Sequence, residues 1–354
     1  MAEYKWLGPF RTSIRTRFYR VLEQAFGADD GRRILRDALD GTVMPRRAAL
    51  APASASLPYR ELGRAPAGHA SLPAPIFTTG RFRSGSTLLW NLFRHVPGCV
   101  SFYEPLNERR WFDPAVRGSR VDRTHLGVND YWREYDGLED LKTVYKEDWI
   151  RRRLYMSADD WDDALYAYIH RLVASAAPRR AVLQFNRVDF RLPWLRRCFP
   201  HARYIHMYRH PRDQWVSSLV QPDLFPRHGT MEQFAAHDHF YLLVWARDLS
   251  YVFPFLDPRA ARHPYELFYW IWRLSYWFGT QYADASFGLE TMCTDPDTSV
   301  TELMRAAGVE AFDLAALTPL IVRQPSKWQQ YADDEWFAAR EAHCDAVLSA
   351  FAGH

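Results

Sequence analysis

Cysteine is scarce in this sequence of 354 residues, which contains only four. None of the four forms a CxxC pair or the cysteine–histidine spacing that is typical of a zinc site. They are Cys99, Cys198, Cys293 and Cys344. The pattern indicates neither a disulfide framework nor a structural zinc site, and we expect a protein of the reducing cytoplasm.

Long apolar runs are also missing, since no stretch of about 18 apolar residues occurs. The first residues, MAEYKWLGPFRTSIRTRFYR, carry charges at positions where a signal peptide has its apolar core. We therefore expect a soluble protein that has neither a transmembrane segment nor a signal peptide.

A large net charge is absent as well. The 45 basic and 42 acidic residues leave a net charge of +3, too small for a chain that binds nucleic acid over a whole face. Any anion site must therefore be local. Nearly all of the positive charge is arginine, which suits bidentate contacts with phosphate and sulfate oxygens. The lysines are Lys5, Lys142, Lys146 and Lys327.

The sequence contains enough apolar residues, 48%, to form a full core. Residues 1–70 combine helix-like stretches with a Pro/Ala/Ser-rich run, which we interpret as an N-terminal helical extension and a linker. Residues 71–354 are predicted to form the main domain.

Short apolar runs that are typical of strands alternate with helical patterns in the main domain. The runs are APIFTT, CVSFY, AVLQF, ARYIHMY and the weaker ASFGLE, and helical patterns cover residues 86–96, 163–175, 232–252, 264–282 and 298–307. This alternation predicts an α/β fold with a central parallel sheet between helices. Charges at Glu266 and Arg273 interrupt the aromatic helix 264–282, so we predict a core helix whose aromatic face could also stack on sugars.

The segment FTTGRFRSGSTLL runs from a strand through a glycine-containing loop into an amphipathic helix. Such loops bind anions, because glycine frees the backbone and the N–H groups at the helix start point at bound oxygens. The stretch Gly80 to Thr87 matches a nucleotide P-loop except that Ser86 replaces the lysine. Because phosphoryl transfer needs that lysine, the mismatch disfavours a kinase or an ATPase.

TTGRFRSGSTLL resembles the 5′-phosphosulfate-binding loop of the sulfotransferase family, in which Lys or Arg directly precedes a Ser-Gly-Ser/Thr-Thr turn. The resemblance implies a P-loop-like three-layer fold. It also implies 3′-phosphoadenosine 5′-phosphosulfate (PAPS) as the donor and adenosine 3′,5′-bisphosphate (PAP) as the product. The residues that it places on the donor are Arg83, Ser84, Gly85, Ser86 and Thr87, with Arg81 as a further contact.

A second motif follows in FPHARYIHMYRHPRDQWVSS, where a strand leads through a polar turn into a helix. It is similar to the family's 3′-phosphate element, a strand ending in Arg-x-Pro-x-Asp with a serine eight residues after the arginine. Arg209 and Ser217 occupy these positions, and a guanidinium with a hydroxyl suits a dianion. Taken alone, RHPRD fits a structural turn with a salt bridge equally well.

Two later segments are also similar to the family. In SFGLETMCTDPDTSVTELMRAAGV we expect Glu290 to be structural. RQPSKWQQY resembles the C-terminal loop that closes over the nucleotide, so Arg323, Lys327 or Trp328 could contact it; an ordinary surface loop is the alternative.

Sulfuryl transfer needs a charge that stabilises the leaving phosphate, for which Arg83 is suited, and a base for the acceptor hydroxyl. We predict Glu104 as the base, because it follows the second strand at the sheet edge where open α/β folds bind ligands. The stretch FYEPL also resembles the Glu-Pro-Leu segment of carbohydrate sulfotransferases. Alternatively, Glu104 pairs structurally with an arginine such as Arg81 or Arg109.

Histidine is the rival base, as in cytosolic small-molecule sulfotransferases. None of five histidines stands in a catalytic context, so they stay unassigned: His201, His206, His210, His237 and His239. Asn186 and Arg187, at the end of the AVLQF strand, are candidate acceptor contacts.

The sequence therefore predicts a PAPS-dependent sulfotransferase that acts on a hydroxyl acceptor, favouring a saccharide or a glycosylated small molecule. No metal is required, since the transferred group carries less charge than a phosphoryl group. The alternatives are a tyrosyl-protein or lipid sulfotransferase, a nucleotide kinase, and a non-catalytic nucleotide-binding protein.

Overall fold

Five parallel strands form the centre of the structure, a computed structural model that describes residues 72–122, 125, 127–219, 221–323 and 325–352. The predicted N-terminal extension and linker, residues 1–70, lie outside the described residues. The predicted domain boundary at residue 71 therefore stays a prediction.

The strands coincide with the five predicted apolar runs. They are β1 (Ile76–Thr79), β2 (Cys99–Tyr103), β3 (Arg180–Phe185), β4 (Arg203–Tyr208) and β5 (Ala285–Gly288). Their order across the sheet is β2-β3-β1-β4-β5, and each neighbouring pair is parallel. The strand β1 is central, with Phe77 opposite Leu183 on one side and Tyr204 on the other. The carboxyl ends of β1, β3 and β4 therefore meet at one edge.

Helices connect and cover the strands. They are α1 (Ser86–Arg94), α2 (Asp163–Ser175), α3 (Leu192–Cys198), α4 (Pro211–Ser218), α5 (Met231–Phe234), α6 (Leu242–Leu249), α7 (Pro264–Tyr282), α8 (Leu289–Thr294), α9 (Pro296–Ala307), α10 (Leu314–Leu317) and α11 (Asp334–Ala352). Among the described residues, no helix combines the length and apolarity that crossing a bilayer requires.

Different helices cover the two faces of the sheet, because consecutive strand residues point to opposite faces. Ile76 packs in a cluster with Leu89 of α1 and Val300 of α9. Its neighbour Phe77 packs in a second cluster, with Leu172 of α2. This arrangement confirms the predicted α/β fold with a parallel sheet between layers of helices.

The aromatic helix α7 is a core helix, as predicted. Its Trp270 joins Trp215 and Trp245 in a third buried cluster beside the sheet. Its outer face is open to solvent at Trp277, whose exposed fraction is 48%.

The predicted helix over residues 232–252 is wrong in its middle. The chain forms α5, a 3₁₀ turn at Ala235–His237 and then α6. The Asp238 carboxylate accepts hydrogen bonds from the N–H groups of Leu242 and Leu243, at 2.7 and 2.8 Å, and so caps a new helix. Tyr241 has a φ of +62°, which a continuous helix does not allow.

Candidate active site

The loop between β1 and α1 is held in a tight conformation by its two glycines. Gly85 has a φ of +97°, and a Cβ there would lie 2.9 Å from the side chains of Leu289 and Met207. At Gly80 a Cβ would lie 2.6 Å from the Met207 carbonyl oxygen. Neither position can accept a side chain without a shift, so the loop packs closely on β4.

Two features of this loop suit a bound anion. The Ser84 hydroxyl is fully buried and has no hydrogen-bond partner in the part of the chain that the structure describes. The residue before α1, Gly85, offers no side-chain cap, so the first N–H groups of the helix are left for a ligand. The oxygens of a bound anion would accept hydrogen bonds from both.

Three of the predicted donor-binding residues come together across a long separation in sequence. Arg83 Nε donates a hydrogen bond of 2.9 Å to Ser217 Oγ on α4. Arg209 Nη1, at the end of β4, donates one of 3.3 Å to the carbonyl oxygen of Arg83. The two predicted motifs therefore meet at the carboxyl ends of β1 and β4. Burial lowers the pKa of Arg209, and the negative charge of Asp213 opposes this shift.

The C-terminal segment after α10 packs against the start of α4. Asp213 accepts hydrogen bonds of 2.8 Å from the Ser326 hydroxyl and from the Lys327 N–H. The Trp328 ring stacks on His210, with ring centroids 6.4 Å apart. The segment thus lies beside the Arg209 turn, and its predicted contact with the nucleotide stays a prediction.

Glu290 stabilises the same turn, since its carboxylate accepts a hydrogen bond of 2.9 Å from the His210 N–H. This contact agrees with the structural role expected from the sequence.

Glu104 lies directly after β2, buried and with a φ of +38°. Asn186 Nδ2 donates a hydrogen bond of 2.6 Å to one carboxylate oxygen, and Asn107 donates to the other. Arg187 Nη1 lies 3.5 Å from that second oxygen. The arginine that pairs with Glu104 is therefore Arg187, rather than Arg81 or Arg109. Asn186 and Arg187, expected on the acceptor, both contact Glu104.

Burial raises the pKa of Glu104, and the charge of Arg187 is the largest opposing influence. A carboxylate with a raised pKa is a better proton acceptor than an exposed one. Glu104 is also linked to the loop. The Tyr103 hydroxyl lies 3.2 Å from Thr87 Oγ1, and the same side chain affects the pKa of Glu104 through a hydrogen bond.

Arg81 lies apart from the group formed by Arg83, Arg209 and Ser217. Its guanidinium carbon is 4.3 Å from the centroid of the Trp245 ring, and the side chain is buried. The charges of Asp189 and Asp238 attract the Arg81 guanidinium, and the charge of Arg187 repels it. None of these three residues belongs to that group. Its predicted place on the phosphosulfate stays a prediction without a contact to support it.

Among the unassigned histidines, His206 is held in the core. Its Nδ1 lies 3.2 Å from Ser286 Oγ, and a Cβ on Gly279 would come within 2.3 Å of its ring. Burial lowers its pKa to about 4, so the ring is neutral at physiological pH. His237 packs on Phe225, with centroids 5.6 Å apart. These contacts are those of packed side chains.

His125 is a neighbour of the loop that the sequence interpretation did not consider. Its Nδ1 lies 2.5 Å from the Tyr131 hydroxyl, and the Tyr131 ring stacks on Tyr103 at 4.4 Å. Burial lowers its pKa, and the charge of Arg83 contributes to the lowering. It lies between β2 and α2, where the residues that the structure describes form only short 3₁₀ turns and local patterns give no signal.

A family model described as the sulfotransferase family matches residues 75–269, more than half of the chain. Among solved structures, sulfotransferase STF9 from Mycobacterium avium is similar, with 14% identity and a TM-score of 0.40 over 80% of this chain and 76% of that chain. No curated protein sequence matches the chain.

Proposed function

The chain belongs to the sulfotransferase family, and we propose that it transfers a sulfuryl group from PAPS to an acceptor hydroxyl with Glu104 as the base. The observation that carries the proposal is the direct contact between the two motifs, in which Arg83 donates to Ser217 and Arg209 donates to the Arg83 backbone. Two cations at the carboxyl end of a parallel sheet suit a nucleotide with two separate phosphates.

The donor site is proposed as follows. The loop residues Arg83, Ser84, Gly85, Ser86 and Thr87 bind the 5′-phosphosulfate, and Arg209 with Ser217 binds the 3′-phosphate. The unpaired hydroxyl of Ser84 and the uncapped start of α1 support the first assignment. The guanidinium of Arg209 with the hydroxyl of Ser217 supports the second.

Bound PAPS supplies an activated sulfuryl group. In the proposed reaction a bond forms between the acceptor oxygen and sulfur while the bond from sulfur to the 5′-phosphate oxygen breaks. Glu104 takes the proton of the acceptor hydroxyl, and Arg83 stabilises the charge that develops on the leaving phosphate. The hydrogen bond from Arg209 to the carbonyl oxygen of Arg83 aligns the loop with α4.

The surroundings of Glu104 support its proposed role. The amides of Asn107 and Asn186 orient the carboxylate, and burial raises its pKa. The charge of Arg187 opposes this shift of the pKa and favours the ionised form, which a base requires.

The FYEPL segment favours a saccharide or a glycosylated small molecule as the acceptor. The aromatic face of α7 gives this less support than the sequence suggested. Trp272 and Tyr276 stack on each other with centroids 5.7 Å apart, and Trp272 Nε1 donates a hydrogen bond of 2.9 Å to the Arg209 carbonyl. That face lies beside the 3′-phosphate element.

Thermal-shift and transfer assays on the full chain test the proposal together. We expect PAP to raise the melting temperature and ATP with Mg²⁺ to leave it unchanged, because Ser86 replaces the P-loop lysine. Labelled PAPS with a panel of sugars, phenols, lipids and tyrosine peptides then identifies the acceptor class. Stabilisation by ATP with Mg²⁺ alone, without transfer of label, would contradict the proposal.

A further inference from the structure

Glu104 and Glu108 contact the same arginine, Arg187, at the carboxyl ends of β2 and β3. Glu104 follows β2 directly and Glu108 lies in the turn after it, while Arg187 lies just after β3. Because these strands are neighbours and parallel, their ends bring the three side chains together. A hydrogen bond of 2.9 Å from the Tyr145 hydroxyl to the Asn107 carbonyl oxygen holds the turn between the two glutamates.

The Arg187 guanidinium lies closer to Glu108 than to Glu104. Its Nη2 donates a hydrogen bond of 2.8 Å to Glu108 Oε2, whereas its Nη1 lies 3.5 Å from Glu104 Oε2. The same Nη1 donates a shorter hydrogen bond, of 2.8 Å, to Asn186 Oδ1. Arg187 is therefore divided between two carboxylates, and its stronger contact is with the one that is not the proposed base.

Glu104 and Glu108 differ in their exposure to water. The Glu108 side chain is 41% exposed, so water solvates part of its charge, while the side chains of Glu104 and Arg187 are buried. One guanidinium balances only one negative charge. With Glu108 in contact with Arg187, the ionised carboxylate of Glu104 is the uncompensated buried charge, and protonation of Glu104 makes the three side chains together neutral.

The other titratable side chains around the two glutamates are buried tyrosines. They are Tyr103, Tyr131 and Tyr135 near Glu104, and Tyr145 and Tyr241 near Glu108. Burial raises the pKa of all five, so their hydroxyls are neutral at physiological pH. Burial is also the main cause of the raised pKa of Glu104; the charge of Arg187 opposes that shift, and the charge of Glu108 adds to it.

We propose that Glu108 is a positioning residue of the sulfuryl transfer: it holds the Arg187 guanidinium away from a close ion pair with Glu104 and so keeps Glu104 effective as a proton acceptor. The inference rests on the proposed function, in which Glu104 takes the proton of the acceptor hydroxyl. A carboxylate that pairs closely with an arginine is a weaker base than one whose charge is partly uncompensated. After the transfer the proton lies on Glu104 within a neutral group of side chains, which suits a buried site.

The pH dependence of transfer tests this role on the full chain. Glu108→Gln keeps the size of the side chain, removes its charge and leaves Arg187 to act on Glu104 alone. We expect the acidic limb of kcat/KM to move to lower pH by about one pH unit, because both changes favour ionised Glu104. Above that limb kcat is expected to fall several-fold, because Glu104 becomes the weaker base. The rates are measured with labelled PAPS and the acceptor class that the wild type labels.

Two further variants and a control complete the series. Glu108→Ala also removes the charge and is expected to move the limb in the same direction, whereas Glu108→Asp keeps the charge and is expected to hold the limb closer to that of the wild type. The matched control is Asp140→Asn, because Asp140 is likewise exposed and pairs with an arginine, Arg171, at 3.1 Å. Asp140 lies outside the proposed site, so we expect the limb and kcat of this variant to match the wild type.

A readout without turnover follows the Glu104 carboxyl itself. In a chain that carries 13C at the side-chain carboxyl of glutamate, the NMR signal of Glu104 is the one that is absent from Glu104→Gln. We expect the pH at the midpoint of its titration to be lower in Glu108→Gln than in the wild type, in the same direction as the kinetic limb. Binding of PAP, measured on each variant, reports whether the donor site remains intact.

The outcomes separate this inference from the proposed function. An active chain whose acidic limb and Glu104 midpoint are unchanged in Glu108→Gln and Glu108→Ala overturns the role of Glu108 and leaves sulfuryl transfer standing. Loss of PAP binding in both variants overturns it as well, because Glu108 would then be needed for the structure rather than for the base. A wild-type chain that neither binds PAP nor labels any acceptor overturns the proposed function itself.

Discussion

Glu104 differs from an ordinary paired glutamate in having amide donors on both carboxylate oxygens as well as an arginine. If it is the base, Glu104→Gln keeps the shape and loses the proton acceptor. We expect kcat to fall by about 10²-fold or more, with PAP binding retained. Steady-state kinetics and calorimetry measure the two effects.

The matched control is Glu134→Gln, because Glu134 is also a shielded glutamate paired with an arginine, at 2.7 Å from Arg94. It lies outside the proposed site, so this variant is expected to change stability and to leave kcat unaltered. Equal effects of the two variants on kcat would show that Glu104 is only structural.

The pH dependence follows from the raised pKa of Glu104. Because the base must be ionised, activity is expected to fall as the pH falls through that pKa, with the acidic limb of kcat/KM above pH 4.5. The stability effect has the opposite sign. Because the pKa of Glu104 is higher in the folded than in the unfolded state, protonated Glu104 favours the folded state. This contribution to the free energy of unfolding is complete below the unfolded-state pKa and is lost as the pH rises through the folded-state pKa.

The glutamine in Glu104→Gln cannot ionise. As the pH rises from below 4.5 to neutrality, the free energy of unfolding of this variant is therefore expected to increase relative to that of the wild type. Urea unfolding at several pH values measures this trend. A wild-type kinetic limb at or below pH 4.5 would contradict the assigned base.

The conformation of the loop between β1 and α1 depends on Gly85. In Gly85→Ala the new methyl group would meet Leu289 and Met207 at 2.9 Å, at a φ that disfavours alanine. We expect a loss of about 1–3 kcal/mol in the free energy of unfolding and weaker PAP binding, because the loop must shift.

Gly98→Ala serves as the control, since a Cβ at Gly98 meets nothing within 4 Å. Its free energy of unfolding is expected to stay close to that of the wild type. If Gly85→Ala bound PAP with full affinity, the loop would not be the phosphosulfate site.

The contact of the C-terminal segment with α4 is a second element that can be tested. Asp213→Ala removes the acceptor of two hydrogen bonds, from Ser326 and Lys327. We expect the free energy of unfolding to fall by about 1–3 kcal/mol, and PAP to bind more weakly because the segment lies beside Arg209. Urea unfolding and calorimetry measure the two effects.

Asp297→Ala is its counterpart, because Asp297 also lies in a first helical turn and accepts a hydrogen bond from a later hydroxyl, that of Thr318 at 2.7 Å. It is remote from the proposed site in sequence and in its contacts, so we expect no change in PAP affinity. An unchanged PAP affinity in Asp213→Ala would exclude the segment from nucleotide binding.

Across the whole molecule, the sequence predicted what local patterns encode. The five apolar runs are strands, and both motifs that were predicted to bind anions stand at strand-to-helix turns, because strands, glycine loops and helix starts have short-range signals. The order β2-β3-β1-β4-β5 was beyond those signals, since pairing depends on contacts between residues far apart in sequence.

The partners of the site residues were less predictable for the same reason. Arg187 pairs with Glu104 across 83 residues, and Arg81 stacks on Trp245 on α6. The described residues around His125 form only short 3₁₀ turns, so no strand or helix pattern in the sequence indicated that it lies beside the loop. Asp238 interrupts the predicted helix 232–252 because its carboxylate caps the start of α6. The periodicity of apolar residues does not reveal such a cap.

The central claim is that Arg83 and Arg209 bind opposite ends of one doubly phosphorylated adenosine. Calorimetry with PAP and with adenosine 5′-monophosphate, which lacks the 3′-phosphate, tests it on the wild type, Arg83→Met and Arg209→Met. We expect the wild type to prefer PAP by about 10- to 100-fold, Arg209→Met to lose that preference, and Arg83→Met to weaken both nucleotides alike. A preference for PAP that survives in Arg209→Met would contradict the account.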